Sequence, residues 1–267
     1  MASSTRQALA AAKEALNPLL KGADLNFAEE LLSIGAAIAS SVQLRNILSD
    51  PSGEDKSKQG ALAAVFGKRV SKDALAFAQT LSGYRWSKGS DLARGFEELG
   101  VYAVASIAAN GSKLAALEDE LFALRQVIDS DHELQQAFSS RQAGLDSTVG
   151  LIENLTKGKL GAEAALLARY AVIGSRHQKL SGVLEKFGKQ VSEVASRLVA
   201  TVTVAQPLSA DQLKRLEAAL SKGYGQQLNL NVEIDPSILG GVKVQVSGEI
   251  IDGSVASRLN QAKLQLA

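Results

Sequence analysis

From Thr5 to Ser196 apolar residues recur three and four positions apart, the spacing that lines one face of a helix. The pattern predicts a first helix over Thr5–Leu16, with Leu9, Ala12 and Leu16 on one stripe, loosened or ended by Pro18 and Lys21-Gly22. A second starts near Asn26 and turns Phe27, Leu31, Ile34 and Ile38 inward, and a short third covers Val42–Ser49. Asp50-Pro51-Ser52-Gly53 is a turn signal. Helices follow over Glu54–Phe66, Ser71–Ser82 and Ser90–Ala109, the last closed by Asn110-Gly111. The same order then returns: Leu114–Ile128, Asp131–Ser139, Gly144–Thr156, Gly161–Ile173 and Lys179–Ser196.

A shift of ninety residues pairs Glu30 with Glu120, Leu31 with Leu121, Ile38 with Ile128, Leu44 with Leu134, Gly60 with Gly150 and Ala78 with Ala168. One residue more pairs Phe96 with Phe187. Identities are sparse, but helix lengths and breaks are shared. We read residues 1–109 and 91–197 as two copies of one helical bundle, with Ser90–Ala109 closing the first and opening the second.

After Ser196 the period falls to two. Leu198, Ala200, Val202 and Val204 alternate along a strand that ends at Gln206-Pro207. Ser209, with Gln212 three positions on, forms a capping box for a helix presenting Leu213, Leu216, Ala219 and Leu220. Leu228–Ile234 and Val242–Val246 read as strands on either side of Pro236 and Gly240-Gly241, and Glu249-Ile250-Ile251 as a short third. Ser254 caps a last helix carrying Val255, Leu259, Ala262 and Leu266. The expected fold is mainly α, a duplicated N-terminal helical bundle followed by a small α+β C-terminal domain. Its expected divisions are 1–95 for an extra bundle copy, 96–197 for a second bundle and 198–267 for the α+β domain.

Composition removes most chemistry from consideration. A net charge of +1, from 29 basic and 28 acidic residues, leaves no electrostatic footprint for nucleic acid. With no cysteine there is neither a disulfide nor a thiolate metal site. No apolar run approaches the ~18 residues of a membrane span, so a soluble chain is expected. Gly60 and Gly67-Lys68 are separated by six residues and followed by Arg69, where a phosphate-binding loop needs four and then Ser or Thr. Gly60 reads instead as a helix-start residue. Gly223-Tyr224-Gly225 lacks the third glycine of a dinucleotide fingerprint. His132 and His177 stand alone, and Glu118, Asp119 and Glu120 diverge around a helix rather than converge. Trp86 reads equally as an interface anchor or as a loop residue packed on the bundle.

One stretch names a family. Ile234-Asp235-Pro236-Ser237-Ile238-Leu239-Gly240-Gly241-Val242, then Ile251-Asp252-Gly253-Ser254-Val255 and Arg258-Leu259, resembles the C-terminal signature of the delta subunit of F-type ATP synthases. The mitochondrial counterpart is the oligomycin-sensitivity-conferring protein. Tyr102-Ala103-Val104-Ala105, followed by Gly111, Leu114 and Glu118–Leu121, resembles the beginning of an ordinary delta subunit, and Tyr170–Arg176 with Leu180 its fifth-helix segment. Ile173-Gly174-Ser175-Arg176 stands where the family has an asparagine before Gly-Arg. The resemblance covers about 95–267, and the first ninety residues are an extension found in some long bacterial forms.

The resemblance implies a non-catalytic stator subunit without cofactors, peripheral to the cytoplasmic face of a bacterial membrane. It implies a helical domain that takes N-terminal helices of alpha subunits and a C-terminal domain that grips the b subunit. The groove it implies lies between the first and fifth helices of the domain. Matching positions here are Tyr102, Ala105 and Ser106 on one side, Ala168 and Ala171 on the other. The competing readings are a free-standing helical adaptor with a borrowed C-terminal unit and an enzyme with a hidden polar pocket.

Overall fold

The computed structural model of the chain describes residues 3–50, 53–140, 144–175, 178–197, 199–224, 228–235, 238, 240–246 and 249–252. The helix expected from Ser254 and the residues Arg176 and His177 lie outside the described residues. The chain divides into two units, Met1–Val191 and Ser192–Ala267.

The first unit is helical: α1 (Ser3–Leu20), α2 (Leu25–Ser40), α3 (Val42–Ser49), α4 (Asp55–Phe66), α5 (Lys72–Gly83), α6 (Gly89–Asn110), α7 (Leu114–Ser130), α8 (His132–Ser139), α9 (Leu145–Thr156) and α10 (Ala162–Gly174). The eleventh helix, α11 (Leu180–Arg197), begins in it. Hydrogen bonds at helix starts recur ninety residues apart. Ser41 caps α3 by accepting from the Leu44 N–H at 3.2 Å, and Asp131 caps α8 by accepting from the Leu134 N–H at 3.1 Å. The Glu30 carboxylate accepts from the N–H and hydroxyl of Ser71 at the start of α5, at 2.9 and 2.6 Å. Ninety residues later the Glu120 carboxylate accepts from the Gly161 N–H at the start of α10, at 2.9 Å. Each carboxylate satisfies an orphan donor of a helix start and sits at the positive end of its dipole. Paired apolar positions are buried together: Leu31 with Leu121, Ile38 with Ile128, and Phe96 with Phe187. Each such large side chain contributes about 1.5–3 kcal/mol by leaving water.

Local signals are overridden in two places. α1 runs through Pro18 to Leu20, because Leu16 and Leu20 share one buried face and their burial outweighs the one hydrogen bond that proline forfeits. Gly60, expected to start a helix, sits in the middle of α4. Trp86 is a packed loop residue, its indole N–H donating to the Leu81 carbonyl at 2.9 Å and its ring lying on Gly95.

The sixth helix ends in a Schellman motif. The N–H groups of Ser112 and Lys113 return to the carbonyls of Ala109 and Ala108, at 3.0 and 2.7 Å. The left-handed residue is Ser112 (φ 56°), not Gly111. Among the described residues no single helix is long and apolar enough to cross a membrane.

The second unit holds β1 (Val199–Val204), α12 (Ala210–Tyr224), β2 (Asn229–Ile234), β3 (Val242–Val246) and β4 (Glu249–Asp252) in a sheet of order β2-β1-β3-β4. β1 runs parallel to β2 across α12 and antiparallel to β3, with Val202 opposite both Val232 and Val244. Alternation buries Ala200, Val202 and Val204. The capping box forms as expected: the Ser209 N–H donates to Gln212 Oε1 at 2.8 Å, and the Gln212 N–H to Ser209 Oγ at 3.3 Å. Between β2 and β3, Gly240 and Gly241 take φ of 124° and 87°, conformations a side chain resists.

Candidate functional site

The surface that the sequence assigns to a partner helix is built around α6, and α6 is enclosed by its own chain. α1 lies along one side. Thr5 donates to Asp91 at 2.9 Å, Lys13 pairs with Glu98 at 2.9 Å, and the Asn110 amide donates to the Leu20 carbonyl at 3.4 Å. The Tyr102 hydroxyl donates to Asn17 Oδ1 at 2.8 Å, and the Lys13 ammonium sits 5.7 Å from the centre of the Tyr102 ring. Tyr102 is therefore spoken for by α1. Ser106, one helical turn on and half-buried, shares its face.

On another side α2 meets α6 almost backbone to backbone, and glycines make that approach possible. A Cβ added to Gly35 would stand 2.8 Å from Phe96 Cβ, and one added to Gly100 would stand 2.6 Å from Leu32 Cγ. The same α2 also touches α10. Arg169 of α10 pairs with Glu29 of α2 and reaches Glu153 of α9 at 3.9 Å. Its neighbour Tyr170 donates its hydroxyl to the Glu29 carbonyl at 3.4 Å. Burial works against the charge of Arg169, but the Glu29 carboxylate outweighs it and holds the guanidinium pKa above its ordinary value. Burial pushes the Tyr170 hydroxyl up as well, so it remains a donor.

The other three expected site residues lie inside. Ala105 and Ala171 are 0% exposed and Ala168 is 1% exposed. α6 and α10 touch, and these three alanines are buried in the interior. The five residues thus divide into a pair facing α1 and a buried trio. What the sequence reading missed is the cover: Glu29, Leu32, Gly35, Arg169 and Tyr170. A signal was present in the repeat itself. At the ninety-residue shift Gly35 answers to Arg125 and Leu32 to Phe122, so the small and aliphatic residues of this seam are not repeated. Arg125 is a half-exposed side chain paired with Glu185 of α11 at 3.5 Å, and Phe122 stays 59% exposed.

Among the described residues, two of the open clefts lie in the helical unit. One of about 610 Å³ lies between α1 and the end of α5, lined by Ser3, Gln7, Ala8, Ala11, Tyr84 and Arg85 among others. The other, of about 440 Å³, is lined by Phe122, Arg125, Gln126, Asp129 and Ser130 on α7. Neither gathers a nucleophile beside a base. Among the described residues no three His, Asp or Glu side chains are placed to hold a metal ion.

Residues 101–266 match the family model for the ATP synthase delta (OSCP) subunit. The chain belongs to that family. It is similar over its whole length to proteins named ATP synthase subunit delta, each likewise covered in full. The one from Leifsonia xyli is 39% identical, that from Streptomyces griseus 38%, and that from Pseudarthrobacter chlorophenolicus 37%. A chain of the Toxoplasma gondii mitochondrial ATP synthase hexamer is also similar, at 21% identity and a TM-score of 0.31, covering 64% of this chain and 96% of that one. The family match opens within α6, so the whole-length relatives, and not the family model, carry the likeness across residues 1–100. As a delta subunit the chain is a non-catalytic component of the peripheral stalk, part of the membrane-associated synthase.

Proposed function

We propose that the chain ties the alpha subunits of the catalytic head to the b subunit of the stalk on the cytoplasmic face of a bacterial membrane. Rotation inside the head exerts a counter-torque on it, and a tie that holds both ends keeps the head still while the rotor turns. In this reading residues 1–95 are an extra bundle copy, and residues 96–197 are the bundle that meets the head through amphipathic helices of the alpha subunits. Residues 198–267 are the α+β domain that grips b. The observation that supports the division of labour is the separation of Ser192–Ala267 from Met1–Val191 as compact units, since two cores permit two independent attachments. Helix-in-groove docking supplies the recognition mode for the head, with apolar anchors at helical spacing.

The test is a chain ended after Ser196, used as the only delta subunit. It should stay helical and bind the head but lose b, because the domain assigned to grip b is gone, and binding at one site then no longer aids the other. ATP hydrolysis by the head should persist, while proton-driven synthesis in energised vesicles should fail. Synthesis at the full-length rate would place the grip on b outside the C-terminal domain.

A further inference from the structure

We propose that α2 is a splint for the α6–α10 pair, with Glu29 and Arg169 as positioning residues that hold the two helices at the spacing the head requires. This rests on the reading of the chain as a stator whose second bundle takes a head helix on that pair. α2 is anchored in the interior of the first repeat, where Phe27, Leu31, Ile34 and Ile38 are buried. From there it reaches two helices at once. Gly35 closes on Phe96 and on the Ala93 and Glu97 backbone of α6, and Leu32 closes on Gly100. These α6 residues lie about half a turn round the helix from Tyr102 and Ser106, so α2 backs α6 from the far side. Nearer its start α2 offers the Glu29 carboxylate to the Arg169 guanidinium and the Glu29 carbonyl to the Tyr170 hydroxyl, both on α10. The guanidinium also lies 5.2 Å from the centre of the Tyr170 ring and reaches Glu153 of α9 at 3.9 Å, so its direction is set by three partners.

The hook on α10 is not part of the repeated pattern. At the ninety-residue shift Arg169 answers to Gln79 and Tyr170 to Thr80. Gln79 donates to the Gln59 carbonyl of α4 at 3.4 Å, and Thr80 to the Ala76 carbonyl of its own helix at 3.0 Å. The basic and aromatic edge is found on the copy that has a preceding repeat to grip. A partly exposed ion pair contributes little to stability, so the use of this one lies in where it holds α10. A groove between two helices binds more tightly when its walls already stand at the bound spacing, because less ordering is left to the moment of binding.

The test is a charge swap in the full chain. Glu29→Arg sets two cations face to face, and Arg169→Glu brings three carboxylates together, whereas the double variant restores an opposite pair. Binding is measured to the catalytic head stripped of its own delta subunit, well below the melting temperature of every variant. Under those conditions a loss of stability alone leaves the affinity of the folded chain unmoved. Each reversal should weaken binding by about fivefold to tenfold, and the double variant should return to within about threefold of wild type. The chain has no cysteine, so spin labels at Arg94→Cys on α6 and Ala162→Cys on α10, both exposed, report the spacing of the pair. The spread of that distance should widen in each reversal and narrow again in the swap. Unchanged affinity in the single variants, a loss that the swap does not repair, or a spread that does not respond would overturn the proposal and leave the stator reading in place. If the wild-type chain failed to bind the head at all, the stator reading would fall and the proposal with it.

Discussion

The closeness of α2 and α6 gives a graded prediction from three glycine-to-alanine changes. Gly60 lies inside α4 with nothing within 4 Å of an added Cβ, so Gly60→Ala gains only the helix-propensity benefit of about 0.5–1 kcal/mol. Gly100→Ala collides with Leu32 Cδ2 and Cγ at 2.6 Å, side-chain atoms that can turn aside in part, and comes within 3.3 Å of the Leu32 nitrogen, which cannot. Its overpacking cost of about 1 kcal/mol roughly cancels the gain. Gly35→Ala is worse placed. Its Cβ meets Phe96 Cβ at 2.8 Å, the Ala93 carbonyl oxygen at 3.3 Å and the Glu97 nitrogen at 3.3 Å, atoms that cannot move unless α6 moves. A cost of about 2–3 kcal/mol less the propensity gain leaves a loss of about 1–2 kcal/mol. For a chain of this size that is a fall in Tm of about 3–6 °C. Thermal and urea melts of the full chain, followed by helical circular dichroism, should rank Gly60→Ala above wild type, Gly100→Ala near it and Gly35→Ala below it. A Gly35→Ala chain as stable as Gly60→Ala would refute the backbone-to-backbone seam.

The repeated caps should behave alike: Glu30→Ala and Glu120→Ala should each cost about 1 kcal/mol in urea melts, with exchange of the Ser71 or Gly161 amide accelerated. At Glu163 burial pushes the carboxyl pKa up, but the Lys113 ammonium 3.0 Å away more than offsets this and leaves it below the ordinary carboxylate value. A depressed folded pKa stabilises above the ordinary carboxylate range, and the contribution vanishes as pH falls through the folded value. Glu163→Gln should therefore lower stability at pH 7 by about 1 kcal/mol and flatten its decline on acidification, measured as urea midpoints from pH 7 to pH 3. At the left-handed end of α6, Ser112→Gly should be neutral or stabilising by up to about 1 kcal/mol, whereas Ser112→Val should destabilise, both read from Tm.

The succession of helices, their near-equal lengths in two rounds and the change to strand period after Ser196 are all properties of local spacing, which is why the sequence alone determined them. The Ser209–Gln212 capping box and the glycine pair at 240–241 belong to the same class, since each is settled within four residues. The family was legible because its signature is contiguous near the C-terminus. The packing of α2 on α6 and α10 was not, because it depends on pairs such as Glu29 with Arg169 and Gly35 with Phe96, distant along the chain. Tyr102, Ala105, Ser106, Ala168 and Ala171 occupy the right helices, but only the tertiary structure decided that three are interior and that α1 engages Tyr102. A small residue on a helix reads the same whether it leaves room for a foreign helix or for the chain's own. In this chain its own helices are the neighbours: α1 bonds Tyr102, and α2 closes on Gly100, where a side chain would not fit, and pairs with Arg169.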